Sequence, residues 1–241
     1  MPRFYCDQPL AIGNVLDLPQ ALAHHVQVLR LQAGAHVTLF NGAGGEYTAT
    51  IELIERKRVQ VEVKAFSARE AEPAHAITLA QALPESSKMD WIVEKAVELG
   101  ATTLQPLAAQ RCVVRLSAER FAKRLLHWRA ITVAAAEQSG RNRLMHVCDL
   151  QDFDGYVARH DLHRRILLSP DAESSLSHWA RHQPPQSVTL MVGPEGGFTP
   201  AEAACASANG VLMLNMGARV LRTETAGLAA LACLNAVWAE M

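Results

Sequence analysis

The sequence has few aromatic residues and few cysteines, and both shortages exclude classes of protein. Only 5% of the 241 residues are aromatic, which argues against nucleic-acid binding through many stacked rings. The five cysteines are odd in number, widely spaced and never form a CxxC pair. We therefore expect reduced thiols, as in a cytoplasmic protein, and no disulfide framework.

Long apolar runs are also missing. The amino-terminal residues include Arg3, Asp7 and prolines, in contrast to the charged start and apolar run of a signal peptide. No window reaches the roughly 18 apolar residues that a membrane-spanning helix needs. These patterns predict a cytoplasmic protein with no membrane partner.

Three widespread fingerprints do not occur in the sequence, namely GxGxxG, GxxxxGK[ST] and GxSxG. Their absence argues against the usual dinucleotide sites, phosphate-binding loops and serine hydrolases. Two histidine pairs have spacings that could hold a metal, His160 with His163 and His178 with His182. No nearby cysteine or acid completes either set, so we expect surface histidines and no metal.

Charge is distributed unevenly, although the net charge is only -1. Residues 105–146 contain eight basic and two acidic side chains. A basic helix face is usually just solvated. We nevertheless favour RNA contact here, because Arg111, Arg115, Arg141 and Arg143 extend the positive charge into the loops beside the helix.

The first part of the chain has the pattern of a small β barrel. A helix is predicted to begin near Asp17 and Pro19 and to end near Gly34. Alternating polar and apolar residues at 46–54 and 59–63 predict a hairpin. Residues 67–75 have no apolar period and are interpreted as a linker.

From residue 77 onward, short apolar runs alternate with helical periods. Strands are predicted at 77–82, 103–107, 164–169 and 189–192, and in a run that ends at Leu214. Ser87 with Asp90 is predicted to cap one helix, and Ser117 to begin another. Five such alternations predict a parallel sheet covered on both faces, and so an α/β fold.

Two glycine-rich loops follow the last two predicted strands, one at 193–197 and one around Gly217. The first leads into Thr199, Pro200 and Glu202, which together predict a capped helix start. In the second, Thr223 is predicted to cap the last helix. Because ligands bind at the carboxyl ends of parallel strands, the two loops predict one ligand site.

Four segments of the chain form a recognisable set of motifs, namely QALPESSKMDWIVEKAVELG at 81–100, EQSGRNR at 137–143, GPEGGFTPAE at 193–202 and LNMGARVLRTETAGLAAL at 214–231. They resemble the motifs of the bacterial 16S ribosomal RNA uracil-N3 methyltransferases. The resemblance implies a PUA-like β-barrel RNA-binding domain at 1–72 and a SPOUT-type α/β methyltransferase domain with a trefoil knot at 73–241. It also implies a homodimer.

By the same resemblance, S-adenosylmethionine is the methyl donor. The acceptor is N3 of the uridine at position 1498 in 16S rRNA of the small ribosomal subunit. Glycines of three loops would let the nucleoside approach the backbone, and Met216, Val220 and Leu221 would cover its purine. The implied cofactor-binding residues are Leu168, Ser169, Pro170, Val192, Gly193, Pro194, Glu195, Gly196, Gly197, Leu214, Asn215, Met216, Gly217, Val220, Leu221, Thr223, Thr225 and Ala226.

Methylation of uracil N3 requires that the N3 proton leave, so the site needs a base or a cation that stabilises the resulting anion. Glu195 or Glu224 is the candidate proton acceptor, Arg222 is the candidate cation, and Arg219 is expected to orient the RNA. The predicted RNA-binding residues are Arg30, Arg111, Arg115, Arg141, Arg143 and Arg219.

Two alternatives remain open at the level of sequence. The enzyme could methylate a ribose or a tRNA base, in which case it would act on free tRNA and not on small subunits. The chain could also be a non-catalytic RNA-binding module whose glycine loops are structural. Dimerisation rests on the resemblance, because a final helix with Leu228, Leu231, Leu234 and Trp238 could equally pack within one chain.

Overall fold

A computed structural model describes residues 1–56, 58–159 and 163–238. The chain forms two compact units. The first unit comprises Met1–Glu72 together with Ala136–Leu144, and the second comprises Pro73–Ala135 and the residues from Met145 onward. The sequence analysis did not anticipate that residues 136–144 belong with the first unit.

The first unit contains a five-stranded sheet in the order β1-β3-β4-β5-β2. Its elements are β1 (Arg3–Tyr5), β2 (Val15–Asp17), α1 (Gln20–Val28), β3 (His36–Phe40), β4 (Glu46–Glu55) and β5 (Arg58–Ser67). The predicted hairpin is confirmed, because β4 and β5 pair antiparallel. Val59, Val61 and Val63 alternate with more exposed residues and are fully buried, so one face of the hairpin forms the core of this unit.

Polar side chains fix residues 136–144 within the first unit. Arg3 donates from Nη2 to Oδ1 of Asn142 at 2.7 Å, and Asn142 donates to the carbonyl oxygen of Arg69. The carboxylate of Glu137 accepts from the backbone N–H of Tyr5 at 2.8 Å. These bonds satisfy buried polar groups that would otherwise be costly.

The structure contradicts the prediction that Arg141 contacts RNA. The residue is 3% exposed, and its Nε and Nη2 donate to the two carboxylate oxygens of Glu72 at 2.9 and 2.5 Å. A buried bidentate pair withdraws the guanidinium from any phosphate. The charge count alone could not separate this internal cation from the exposed Arg115.

The Arg141→Met variant is therefore expected to lower the free energy of unfolding by about 3–5 kcal/mol, because it leaves the Glu72 carboxylate buried and unpaired. Urea unfolding of the full chain measures this change. The matched Arg115→Met variant should leave stability unchanged within about 0.5 kcal/mol. Equal stabilities of the two variants would contradict the structural role of Arg141.

The second unit is built on a seven-stranded sheet in the order β12-β10-β11-β6-β7-β8, with β9 also pairing with β7. Its strands are β6 (Ile77–Ala82), β7 (Thr103–Ala108), β8 (His146–Val147), β9 (Gln151–Asp152), β10 (Arg164–Leu168), β11 (Val188–Val192) and β12 (Leu212–Leu214). Every pairing in this sheet is parallel. The predicted α/β fold with a parallel sheet is therefore confirmed.

Helices connect these strands. They are α2 (Ser86–Glu98), α3 (Ala118–Ser139), α4 (Phe153–Val157), α5 (Leu176–Arg181), α6 (Pro200–Ala208) and α7 (Thr223–Val237). Within the second unit, α7 contacts α2 and α5, while α4 contacts α6. The strand β11 is buried at all five positions, as expected for the centre of a covered parallel sheet.

The predicted start of α3 at Ser117 is correct, because the helix begins at Ala118 and the backbone N–H of Arg120 donates to Oγ of Ser117 at 3.4 Å. The predicted cap of α6 is also correct. Thr199 caps α6 in a full capping box with Glu202, and Pro200 occupies the first turn. The predicted Ser87 cap is wrong, because Glu85 is the N-cap residue of α2, and Asp90 instead accepts from Nε1 of Trp128 at 3.0 Å. The Asp90 carboxylate, which the local sequence pattern assigned to a helix cap, therefore bonds to a side chain of α3 instead.

No helix among the described residues is long and apolar enough to cross a membrane. Within the same residues, no group of three or more histidine, cysteine or acidic side chains is arranged to hold a metal ion. His163, His178 and His182 are exposed, whereas His160 lies outside the described residues. All five cysteines are free thiols.

Candidate active site

One cavity of about 950 Å³ opens where β10, β11 and β12 end. Three segments follow these strands, and we call 168–170, 192–197 and 214–221 the cofactor loops. Residues 168–170, 192–197, 216–217, 219–224 and 226 all line the cavity. The structure thus brings Gly196 and Gly217 to one site, as the pattern of strand ends predicted.

Three predicted cofactor residues do not line this cavity. Leu214 is 1% exposed within the sheet, and Thr225 is exposed. Asn215 supports the loops instead, because its Nδ2 donates to the carbonyl oxygen of Ala172 at 2.7 Å and its Oδ1 accepts from the N–H of Gly217 at 2.9 Å. Asn215 therefore holds the turn that Gly217 makes in the left-handed region, at φ +100°.

Thr223, the first residue of α7, bonds both to the cofactor loop after β11 and to strand β6. The prediction that it caps α7 is wrong, because Arg222 is the N-cap residue. The Thr223 hydroxyl instead donates to the carbonyl oxygen of Gly193 at 2.5 Å and accepts from Nε2 of Gln81 at 3.0 Å. This buried bridge fixes the start of α7 against the loop after β11.

The loop at 193–197 is folded closely on itself. A Cβ atom added to Gly193 would lie 3.1 Å from backbone atoms of Gly197 and Phe198, so only glycine fits without moving the loop. Arg111 holds the other side, donating from Nη1 to the carbonyl oxygen of Gly196 at 2.8 Å. Arg111, predicted to bind RNA, thus also shapes a cofactor loop.

Lys88 also lines the cavity, although no role was predicted for it from the sequence. Its Nζ donates to Oε1 of Glu195 at 2.8 Å and lies 3.8 Å from Oε2 of Glu224. The backbone N–H of Glu85 donates to the same Glu195 oxygen at 3.1 Å. Lys88 follows the carboxyl end of β6, the neighbour of β11, so extending the strand-end rule to β6 would have found it.

These contacts set the ionisation of the site. Burial acts to raise the pKa of Glu195, but the hydrogen bonds from Lys88 and from backbone N–H groups outweigh it and hold that pKa below its ordinary value. The hydrogen bond to Glu195 in turn raises the pKa of Lys88. Both groups are therefore charged at neutral pH.

Glu224, Arg219 and Arg222 make fewer polar contacts with the described residues than Glu195 does. The Oε2 atom of Glu224 is buried and accepts no hydrogen bond from the residues described. Arg219 and Arg222 are exposed, line the cavity, and make no side-chain hydrogen bond or ion pair within the described part of the chain. The cavity wall thus carries the Glu224 carboxylate, which lies 3.8 Å from Lys88, and two exposed cations.

The remaining predicted RNA contacts lie outside the cavity. Arg30 and Arg115 are exposed, and Arg30 adopts φ 55° just after α1. The Arg143 side chain is 53% exposed and lies 3.9 Å from Glu70. None of these three residues is among those that line the cavity.

Gly227 lets α7 pack closely on the sheet beside the cavity. A Cβ atom there would lie 2.9 Å from Cδ1 of Leu79 and 3.3 Å from Cγ2 of Val192. Gly227→Val is expected to lower the free energy of unfolding by about 1–3 kcal/mol through overpacking. Urea unfolding tests this against Ala236→Val at an exposed position of the same helix, where only a helix-propensity cost of about 0.5 kcal/mol is expected. Equal losses would refute the packing argument.

Two families of known protein domains match this chain. Residues 70–235 match the RNA methyltransferase domain family, and residues 18–64 match the RNA methyltransferase PUA domain family. The ribosomal RNA small subunit methyltransferase E of Bacillus subtilis (strain 168) is 31% identical over 246 residues, covering 98% of this chain and 96% of that protein.

Two solved structures have the same fold as this chain over nearly its whole length. A ribosomal RNA small subunit methyltransferase E from Neisseria gonorrhoeae, bound to S-adenosyl methionine, superposes with a TM-score of 0.92 at 35% identity, covering 99% of this chain and 98% of the other. A Legionella pneumophila protein in complex with the same cofactor gives a TM-score of 0.91 at 36% identity, covering 97% and 96%. The chain therefore belongs to the ribosomal RNA small subunit methyltransferase E family.

Proposed function

We propose that this protein transfers a methyl group from S-adenosylmethionine to RNA of the small ribosomal subunit. The observation that carries the proposal is the single cavity formed by the three cofactor loops, with Glu224, Arg219 and Arg222 at its wall. Related proteins from Neisseria gonorrhoeae and Legionella pneumophila hold S-adenosylmethionine. The family, the shape of the cavity and the charged residues at its wall all support methyl transfer to RNA.

The residues present fit S-adenosylmethionine. The cavity volume of about 950 Å³ lies within the usual range for small-molecule sites. Gly193 and Gly217 expose backbone groups, and Met216, Val220 and Leu221 provide apolar cover for a purine. Glu195 and Glu224 line the same cavity and give its wall negative charge beside a cationic ligand.

When bound, S-adenosylmethionine supplies an electrophilic methyl group, so the chain must supply position and electrostatics. The acceptor we propose is uracil N3. In this assignment, Glu224 accepts the N3 proton and Arg222 stabilises the negative charge that develops on the imide. Arg219 orients the RNA from the same wall.

Glu224 is a better candidate base than Glu195. Glu195 already accepts hydrogen bonds from Lys88 and from the backbone of Glu85, and its lowered pKa weakens it as a proton acceptor. Glu224 lies 3.8 Å from Lys88 and accepts no hydrogen bond from the described residues. We therefore assign Glu195 to holding the loop and Glu224 to the proton.

The specific acceptor we propose is the uridine at position 1498 of 16S rRNA. RNA is held by the first domain at 1–72, with Arg30, and by the basic region at 105–146, with Arg115 and Arg143. The domain at 73–241 performs the transfer. The exposed cations along α3 support this arrangement. Because small subunits are the substrate, the protein acts in the cytoplasm.

We also propose a trefoil knot and a homodimer. Support for the knot comes from the position of β10 between β11 and β12 and from the bridge between Thr223 and Gly193. The dimer is proposed from the resemblance of the four sequence motifs to the methyltransferase family. Light scattering of the purified protein tests the dimer directly.

The decisive experiment is mass spectrometry of ribosomal RNA from a strain that lacks this protein. N3-methyluridine at position 1498 should be lost and should return when the gene is restored. Retention of that modification, or activity only on free tRNA, would overturn the proposed acceptor. Calorimetry with S-adenosylmethionine separates an enzyme from a non-catalytic RNA-binding module, because the module should bind no cofactor.

A further inference from the structure

Part of the cavity wall lies beyond the cofactor loops. Phe198 follows Gly197 directly and is the one aromatic residue of the wall among the residues described. Its side chain is neither fully buried nor fully exposed. A partly exposed ring beside a ligand site needs an explanation other than core packing.

The Phe198 ring is held in place from behind. It packs against Phe153, with ring centroids 4.8 Å apart and planes inclined by 42°, and Phe153 is itself only 2% exposed. The next residue, Thr199, is fixed by the capping box of α6, where its N–H donates to Oε2 of Glu202 at 2.7 Å. A ring fixed in this way can bind a planar partner at little entropic cost.

Several arginines line the same cavity as the Phe198 ring. Arg111 donates from Nη1 to the carbonyl oxygen of Phe198 at 3.5 Å and to that of Gly196 at 2.8 Å. Arg219 and Arg222 line the same cavity with exposed guanidinium groups. A cavity that contains both an aromatic ring and several cations has the composition that binds an unstacked nucleotide.

We infer that Phe198 is the platform on which the acceptor pyrimidine stacks once it has left the RNA helix. This inference rests on the proposed function and adds a residue to it. Enzymes that modify a base must hold it outside the stack, commonly on an aromatic side chain. Phe198 is thus a binding residue for the acceptor base, while Glu224 and Arg222 act on its imide.

The test uses the full-length protein and small ribosomal subunits isolated from a strain that lacks it. Single-turnover methylation is measured against subunit concentration for the wild type, Phe198→Leu and Phe198→Tyr. Affinity for S-adenosylmethionine is measured by calorimetry for each. Phe153→Leu serves as the packing control, because it loosens the support of the ring without removing the ring.

We expect Phe198→Leu to raise the half-saturating subunit concentration about 10-fold, as loss of one stacked base would. Cofactor affinity should stay within about twofold, and Phe198→Tyr should restore subunit affinity. If Phe198→Leu leaves the half-saturating subunit concentration unchanged, the inference is wrong. It is also wrong if Phe153→Leu raises that concentration as much as Phe198→Leu does. If Phe198→Leu weakened S-adenosylmethionine binding as much as subunit binding, the ring would contact the cofactor and the inference would be wrong. An inactive wild type would reject the proposed function itself.

Discussion

The Arg222→Gln variant should transfer methyl groups about 100- to 1000-fold more slowly than the wild type in a single turnover on small subunits. Arg222 is exposed, lines the cavity and immediately precedes α7. A fixed cation aimed at a developing anion commonly contributes an effect of this size. Rapid-quench measurement with methyl-labelled S-adenosylmethionine at saturating subunit concentration gives the rate.

Arg219→Gln is the matched control, because Arg219 is an exposed cation of the same wall. It is expected to raise the half-saturating concentration of subunits and to leave the saturated rate within about threefold, as a phosphate contact would. If the two variants behaved alike, Arg222 would be an RNA contact and the imide anion would need another partner.

Glu224→Gln is expected to slow the saturated single-turnover rate about 100- to 10,000-fold at neutral pH, because the amide cannot accept the N3 proton. Rising pH should recover part of the loss, since solvent then removes that proton from the uracil. Rates measured across the pH range therefore separate a lost base from a damaged fold, which would not recover.

Glu195→Gln is the comparison variant. Its side chain can still accept from the backbone N–H of Glu85, so the loop should stay in place and the saturated rate should fall less than in Glu224→Gln. A larger and pH-rescued loss in Glu195→Gln would exchange the roles of the two carboxylates.

The parts of this site that were predictable depend on local rules. Gly193 and Gly217 each follow a buried parallel strand, and such strands end at one edge of a sheet. Thr199, Pro200 and Glu202 form a cap through contacts within four residues. Patterns of this kind need no knowledge of distant neighbours, and the hairpin of β4 and β5 was predictable for the same reason.

The parts that were missed depend on contacts between distant residues. Lys88 and Glu195 are 107 positions apart, so no local sequence pattern connects them. Thr223 had the composition of a cap but is bonded to Gln81 and Gly193, which are 142 and 30 positions away. Tertiary partners override local preference in such cases.

Arg141 illustrates the same limit for charge. A sum over residues 105–146 treats all cations alike, although this one is buried against Glu72 and Arg115 is exposed. A cation can contact phosphate only where solvent reaches it, and burial is a property of the folded chain.

The membership of residues 136–144 in the first unit has a consequence for protein engineering. The polypeptide passes between the two units three times, after residues 72, 135 and 144. A gene fragment that stops at residue 72 encodes β1 to β5 but omits Asn142 and Arg141, the partners of Arg3 and Glu72. Exchange of this domain between homologues therefore requires two separate pieces of coding sequence to be transplanted together.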